Sequence, residues 1–179
     1  MKTLRYITGR GGNCKGGLSA HLATLSDDYD VLPIDPDFLA QDIQAQVDTV
    51  RAFTELEEGN LIANSYGAYL LLLSLIDQGP LPTRILLLSP VLGRAISEEH
   101  MLFSRPPREK TLHQAIADRR LGMPEHLEIV TGKDDEICDP ALAVWVGDRL
   151  EMKVSLLAGE GHMIKPRKVE EAVSRFLQR

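Results

Sequence analysis

The chain is poor in cysteine and has no long apolar run. Its two cysteines, Cys14 and Cys138, are too few for a disulfide framework and do not have the spacing of zinc ligands. The longest apolar run, residues 69–76, falls well short of the roughly 20 residues that a membrane-spanning helix needs. It indicates a buried helix, so we expect no membrane span. Because both thiols are expected to be reduced and the N-terminal stretch is too interrupted for a signal peptide, the expected compartment is the cytoplasm.

Cations are not concentrated anywhere in the chain either. There are 20 basic and 26 acidic residues, for a formal net charge of -6. The basic residues are scattered apart from short pairs such as Arg119-Arg120. A protein that follows a phosphate backbone usually gathers its cations on one face. The sequence therefore favours a protein without a nucleic-acid partner.

Short apolar runs alternate with longer amphipathic ones along all 179 residues, a length that suits one substantial core. Strands are predicted at residues 3–8, 29–34, 60–63, 84–89, 127–131 and 154–157. Helices are predicted at residues 18–25, 37–57, 68–77, 142–150 and 169–177. Strands that are apolar without alternation are typical of a parallel sheet buried on both faces. We predict a single α/β domain, a three-layer α/β/α sandwich around a mostly parallel central sheet.

Residues 94–122 interrupt this alternation with Pro106-Pro107 and mixed charge. The segment is either a small cap over a site or an irregular, loosely helical connection, and irregular connections are the commoner case. In the first interpretation Met101, Leu102 and Phe103 would line an apolar acyl site. In the second they would belong to the core.

Ser65 lies between a predicted strand and a predicted helix, in the sequence Asn64-Ser65-Tyr66-Gly67. A nucleophile elbow is a tight strand-to-helix turn that holds a serine in a strained conformation at the edge of a sheet. Small residues are needed two positions before and after the serine, and Ala63 and Gly67 meet that need. The alternative interpretation is that Ser65 is simply an N-cap, a position that serine favours.

A serine nucleophile needs a base, and His162 is the candidate. It follows Gly159-Glu160-Gly161 directly after a predicted strand, where glycine allows the backbone to turn sharply. The imidazole could then reach back over the carboxyl edge of the sheet.

The acid that would orient this histidine is expected in the loop after the preceding strand. Residues 132–140 carry four carboxylates. We favour Asp135, with Asp134 as the alternative, because Asp139 is better placed to cap the helix that begins at Pro140. An ordinary solvated acidic loop is the competing interpretation. The order Ser, Asp, His, with each residue just after a strand, is the order that distinguishes one serine-triad fold from the others.

The sequence does not match the motifs of nucleotide-binding, cysteine-nucleophile or histidine-metal sites. The glycine-rich residues 9–17 match neither the P-loop nor the dinucleotide fingerprint, because Cys14-Lys15-Gly16 stands where the P-loop needs Gly-Lys-Ser or Gly-Lys-Thr. Cys14 has no matched histidine, so a bystander thiol is the better interpretation. The remaining histidines show no metal-binding spacing, and surface roles are expected for His21, His100, His113 and His126.

These motifs resemble those of the α/β-hydrolase superfamily, in particular its small members without a large lid. The chain is similar to the retinoblastoma-binding-protein-type serine hydrolases in residues 8–12, 64–68 and 132–135 and at Gly161-His162. The resemblance implies a minimal α/β-hydrolase fold and an oxyanion hole formed by the backbone N–H groups of Arg10 and Tyr66. Thr8 and Asn64 stand where many members carry histidine.

The sequence thus predicts a serine hydrolase that cleaves a small ester, thioester or amide, with carboxylic esters favoured. Ser65, His162 and Asp135 would act through an acyl-enzyme on a small-molecule acyl substrate. This chemistry requires no cofactor and no metal. The alternative is a binding protein on a hydrolase scaffold with little or no catalysis.

Overall fold

The computed structural model describes residues 3–12, 14–55, 58–95 and 105–178, and within them six parallel strands form one sheet. The order of the strands across the sheet is β2-β1-β3-β4-β5-β6. The strands are β1 (Leu4–Arg10), β2 (Tyr29–Ile34), β3 (Gly59–Asn64), β4 (Leu81–Leu88), β5 (Pro124–Gly132) and β6 (Lys153–Leu157). All six strands predicted from the sequence are present.

The helices lie on both faces of this sheet. They are α1 (Gly17–Ala23), α2 (Pro36–Leu39), α3 (Ile43–Thr54), α4 (Ser65–Ser74), α5 (Glu109–Ala117), α6 (Pro140–Leu150) and α7 (Pro166–Leu177). The apolar run that indicated a buried helix is α4, whose residues 66–74 are all buried. The predicted three-layer α/β/α sandwich is therefore confirmed.

One predicted helix, residues 37–57, is wrong as a single element. The chain instead forms the short α2 and then α3, which ends at Thr54. The break lies at Asp42, whose side chain accepts hydrogen bonds from the backbone N–H groups of Gln44 (2.8 Å) and Ala45 (3.0 Å). An aspartate that takes up these N–H groups starts a new helix, and the apolar spacing alone could not show this.

Two apolar cores explain why the strands read as continuous hydrophobic runs. In β4, Ile85 and Leu87 face the core beneath α3–α6, whereas Leu86 and Leu88 face the core beneath α1 and α7. All four side chains are almost completely buried. Each strand in the middle of the sheet must therefore be apolar on both faces.

Part of the segment at residues 94–122 is a regular helix. In α5, Leu112, Ala115 and Ile116 are buried in the core beneath α3–α6. These residues lie three and four positions apart, a spacing typical of one face of a helix, but no helix was predicted here from the sequence. Met101, Leu102 and Phe103 lie outside the described residues. No helix in the described ranges is long and apolar enough to cross a membrane.

The strand order places a crevice at the carboxyl edge of the sheet. From β1 the chain passes outward to β2, whereas from β3 it passes in the opposite direction to β4. The connections that leave β1 and β3 therefore diverge, and ligands of open α/β sheets bind at such a switch point. The glycine-rich loop after β1 and the turn that carries Ser65 both lie there.

The close packing of α4 against β1 can be tested at Gly67. A Cβ atom there would overlap the Thr8 carbonyl oxygen and the Ile7 side chain. We expect Gly67→Ala to lower the free energy of unfolding by about 2 kcal/mol or more, although alanine is the better helix former by roughly 1 kcal/mol. Urea denaturation measures the change.

Gly79→Ala is the matched control, because a Cβ atom at Gly79 would meet no other atom within 4 Å. Its unfolding midpoint should stay close to that of the parent chain. A Gly67→Ala variant as stable as the parent would contradict the proposed close contact between α4 and β1.

Candidate active site

Ser65 occupies a strained turn between β3 and α4. Its backbone φ is 50°, in the left-handed region that non-glycine residues rarely adopt. The neighbouring backbone is close enough that a Cβ atom on Gly9 would lie 3.2 Å from the Ser65 Cβ. Glycine at positions 9 and 67 therefore permits this turn, which has the form of a nucleophile elbow.

His162 lies within hydrogen-bond distance of this serine. The Ser65 Oγ and the His162 Nε2 are 3.0 Å apart, although the two residues are 97 positions apart in sequence. His162 comes after β6 through a turn in which Gly159 has a φ of 71°. Gly132, at the end of β5, allows this turn to approach, because a Cβ atom there would overlap the Glu160 carbonyl oxygen.

Glu160 anchors the same turn from the other side. Its carboxylate accepts a hydrogen bond from the Lys165 backbone N–H at 2.9 Å and lies 3.4 Å from the Lys165 Nζ. The backbone hydrogen bond is the main reason that the pKa of Glu160 is lowered from its ordinary value. The charged carboxylate ties the turn that carries His162 to the start of α7.

Asp135 is the carboxylate that the fold brings to this histidine. Its Oδ2 lies 3.1 Å from the His162 Nδ1, and its side chain is completely buried. Its Oδ1 accepts the backbone N–H groups of Ile137 (3.0 Å) and Cys138 (2.8 Å), and its Oδ2 accepts the Thr131 hydroxyl at 3.2 Å. These donors stabilise a buried negative charge that would otherwise be strongly unfavourable.

The other acidic candidates of this loop point elsewhere. The Asp134 carboxylate accepts the Gly159 backbone N–H at 3.1 Å. The Asp139 side chain caps α6 by accepting the Ala141 backbone N–H at 2.8 Å, as the sequence predicted. The sequence left Asp134 open as the partner of His162, and the structure places Asp135 in that position.

The chain is similar in structure to several solved proteins across its whole length. The ydeN gene product of B. subtilis matches with a TM-score of 0.68 and 17% identity over 100% of both chains. The monoacylglycerol lipase of Paleococcus ferrophilus matches with a TM-score of 0.68 and 11% identity, over 97% of this chain and 93% of that one. SOBER1 of Arabidopsis thaliana matches with a TM-score of 0.64 and 13% identity, over 99% of this chain and 98% of that one.

An alpha/beta hydrolase from the metagenome of lagoon sediments in Morocco also matches, with a TM-score of 0.64 and 15% identity over 99% of this chain and 91% of that one. No protein-family model matches the sequence, and no curated protein matches it closely. The chain has the α/β-hydrolase fold. At these identities the comparisons establish the fold alone.

Within this α/β-hydrolase fold, the two residues predicted to form an oxyanion hole border the same cleft as Ser65 and His162. The cleft has a volume of about 550 Å³. Tyr66 is the second residue of α4, so its backbone N–H has no acceptor within the helix. Arg10 is the last residue of β1. The Arg10 guanidinium lies over the Tyr66 ring, 4.8 Å from its centre.

The Tyr66 side chain is itself buried. Burial raises the pKa of the Tyr66 phenol, and the nearby Arg10 guanidinium partly opposes the shift. The phenol donates a hydrogen bond to the Gln46 Oε1 at 3.3 Å. Tyr66 therefore presents a neutral aromatic side chain beside the cleft at physiological pH.

Cys138 is a neighbour of the site that the sequence analysis did not identify. Its Sγ lies 3.3 Å from the His162 Nδ1 and donates to the Ser89 carbonyl oxygen at 3.4 Å. Burial, followed by the charges of Asp135 and Glu136, raises its pKa well above the ordinary value. Cys138 lies three residues after Asp135, in the loop expected to hold the acid, and this position could have indicated from the sequence that it neighbours the site.

The remaining candidates lie away from the site. Cys14 is exposed on the loop after β1. His113 contacts the Leu92 carbonyl oxygen and packs against Trp145, and His126 packs against Phe176. Both residues are half-buried, as is His21 in α1, so the expectation of surface roles is wrong for all three. His100 lies outside the described residues.

The raised pKa of Cys138 predicts a difference in reactivity between the two thiols. At about pH 9 an ordinary thiol, with a pKa of about 8.5, is mostly ionised. We expect iodoacetamide to alkylate Cys14 in the folded protein and to leave Cys138 unmodified, because the buried thiol stays protonated. Intact mass spectrometry should show one adduct on the native chain and two after denaturation.

Cys14→Ser provides the control for this experiment, since the native variant should then take up no adduct. Rapid alkylation of native Cys14→Ser at this pH would contradict both the burial and the raised pKa of Cys138.

Proposed function

We propose that the protein is a serine hydrolase that cleaves a small ester, thioester or amide through an acyl-enzyme. The observation that carries this proposal is the continuous hydrogen-bonded series from the Ser65 Oγ to the His162 Nε2 (3.0 Å) and from the His162 Nδ1 to the Asp135 Oδ2 (3.1 Å). When a hydroxyl, an imidazole and a buried carboxylate are hydrogen-bonded in this order, the imidazole and the carboxylate can activate the hydroxyl as a nucleophile.

The first step is attack by the Ser65 hydroxyl on the substrate carbonyl. His162 takes the hydroxyl proton at Nε2 and later gives it to the leaving group. Asp135 accepts the Nδ1–H, which keeps Nε2 free of hydrogen before the attack and stabilises the imidazolium after it. Water then attacks the acyl-enzyme, with His162 again acting as the base, and the acyl group is released from Ser65.

The proposed oxyanion hole uses the backbone N–H groups of Tyr66 and Arg10. The N-terminal end of α4 carries a partial positive charge that favours a developing oxyanion. In the loop after β1, the Gly11 N–H donates to the Ile34 carbonyl of β2 at 2.8 Å, and the Gly12 N–H donates to Gly9. Because N–H groups of an extended strand alternate in direction, the Arg10 N–H is expected to point toward β3 and Ser65.

A small substrate suits the cleft, whose volume of about 550 Å³ lies in the usual range for small-molecule sites. Among the proteins of similar structure, one is a lipase by name, which favours carboxylic esters over amides. We therefore expect short-chain p-nitrophenyl esters to serve as test substrates.

Ser65 and His162 should behave as one catalytic unit. We expect Ser65→Ala and His162→Ala each to lower kcat on p-nitrophenyl acetate by roughly 10⁴-fold or more, and the double variant to lose little beyond either single one. A fluorophosphonate should add once to the parent chain and not to Ser65→Ala, as read by intact mass.

Two results would refute this assignment. An adduct that persists in Ser65→Ala would place the nucleophile elsewhere. A folded parent chain that forms no adduct would favour a binding protein on a hydrolase scaffold.

The acid is tested by two adjacent substitutions of the same kind. Asp135→Asn should lower kcat by about 10³–10⁴-fold, because an amide can donate to Nδ1 and so favour the wrong tautomer of His162. Asp134→Asn is the control, since Asp134 contacts the Gly159 backbone instead of the imidazole, and it should change kcat by less than about tenfold. The reverse ranking of the two variants would show that Asp134 is the acid.

A further inference from the structure

Three side chains of different metal-binding chemistry meet on the side of His162 that faces away from Ser65. The ligand atoms are the Asp135 Oδ2, the Cys138 Sγ and the His162 Nδ1, and all lie within 4.8 Å of one another. Ser65 contacts the opposite ring nitrogen, Nε2. The cluster therefore shares Asp135 and His162 with the proposed catalytic residues, and neither Asp135 nor Cys138 lines the substrate cleft.

The spacing of these atoms suits tetrahedral coordination. Typical bond lengths to zinc are about 2.3 Å for sulfur and about 2.0–2.2 Å for nitrogen and oxygen. Tetrahedral ligands at such lengths stand about 3.4 Å apart for nitrogen and oxygen and about 3.6 Å apart for sulfur and nitrogen. The corresponding distances here are 3.1 Å and 3.3 Å, and the Cys138 Sγ and Asp135 Oδ2 lie within 4.8 Å of each other, so side-chain shifts would bring all three onto one ion.

The charge and softness of the donors also favour such an ion. Asp135 is a buried carboxylate, and within the described residues His162 is the only basic side chain within ion-pair distance of it. A divalent cation would therefore meet a carboxylate with which no lysine or arginine of the described ranges forms an ion pair. A thiolate beside an imidazole selects zinc or cadmium over magnesium or calcium, which prefer oxygen ligands alone.

We propose that Asp135, Cys138 and His162 form an inhibitory binding site for a thiophilic divalent cation such as Zn²⁺. On binding, the Cys138 thiol releases its proton to solvent and coordinates as the thiolate. The bound cation provides the largest local charge and outweighs the burial that otherwise keeps this thiol neutral.

Inhibition follows from the two nitrogens of one imidazole ring. When the cation replaces the hydrogen on Nδ1, that proton passes to solvent and Nε2 takes one up, so the neutral ring carries its single proton on Nε2 instead. That N–H then donates toward the Ser65 Oγ and cannot accept the hydroxyl proton. The cation should therefore lower kcat and leave KM unchanged, because the cleft itself remains open. This kinetic consequence rests on the proposed hydrolase function, whereas the metal binding does not.

The binding is tested first with Cd²⁺, whose bond to a thiolate gives an ultraviolet charge-transfer absorbance. The parent chain and Cys14→Ser should each bind about one Cd²⁺ and show this band. Cys138→Val, which removes the sulfur but retains the approximate shape, should lose the band and bind Cd²⁺ at least tenfold more weakly in equilibrium dialysis. Cys138→Ala serves as a second variant, with thermal unfolding to verify that each one folds.

The inhibition is then tested with Zn²⁺ on p-nitrophenyl acetate hydrolysis, each variant measured against its own metal-free rate. Zn²⁺ should lower the kcat of the parent chain and of Cys14→Ser, and chelation with EDTA should restore it. Folded Cys138→Val should need at least tenfold more Zn²⁺ for the same inhibition. Mg²⁺ and Ca²⁺ at the same concentrations should have no effect.

Three results would overturn the proposal: a parent chain with no Cd²⁺ band, a band that persists in Cys138→Val and vanishes in Cys14→Ser, or inhibition that raises KM alone. If the protein proved to hydrolyse no ester, the Cd²⁺ band would still decide whether the site exists. Failure of the proposed function and failure of the metal site are thus distinguishable.

Discussion

Ser65 stands at the edge of the sheet because α4 packs its Gly67 directly against the backbone of β1. Any side chain at that position would overlap the Thr8 carbonyl oxygen and push the start of the helix away. The approach forces a left-handed conformation on Ser65, and the same approach brings the loop after β1 beside it. The proposed nucleophile and the proposed oxyanion donors therefore depend on one steric constraint.

The contact between His162 and Asp135 depends on a second close approach of the same kind. Gly132, at the end of β5, admits the turn at residues 159–161, so that the loops after β5 and β6 meet. Asp135 and His162 come together across this contact. Both contacts lie at the carboxyl edge of a parallel sheet, where the ends of all strands point the same way and distant parts of the chain converge.

Burial gives this edge its electrostatic character. Two backbone N–H groups, a hydroxyl and an imidazole surround the buried carboxylate of Asp135, so its oxygens have hydrogen-bond partners inside the protein. The thiol of Cys138 lies next to the same imidazole nitrogen, where burial favours its neutral form. One ring nitrogen thus faces a carboxylate and a sulfur, while the other faces the serine. In the proposed mechanism the position of the proton on this ring controls activity, so a cation bound at Nδ1 would change the state of Nε2.

The amino-acid sequence by itself determined the architecture and the order of the chemical groups. Apolar runs without alternation predict a parallel sheet, and polar residues directly after those runs are expected at its carboxyl edge, so the proximity of Ser65 and His162 was predicted without coordinates. Only the tertiary structure distinguished Asp135 from Asp134, because adjacent side chains in a loop point in different directions and hydrogen bonds made by folding select between them. The same reason applies to Cys138, which reaches His162 through a turn of the backbone that residue types alone do not specify.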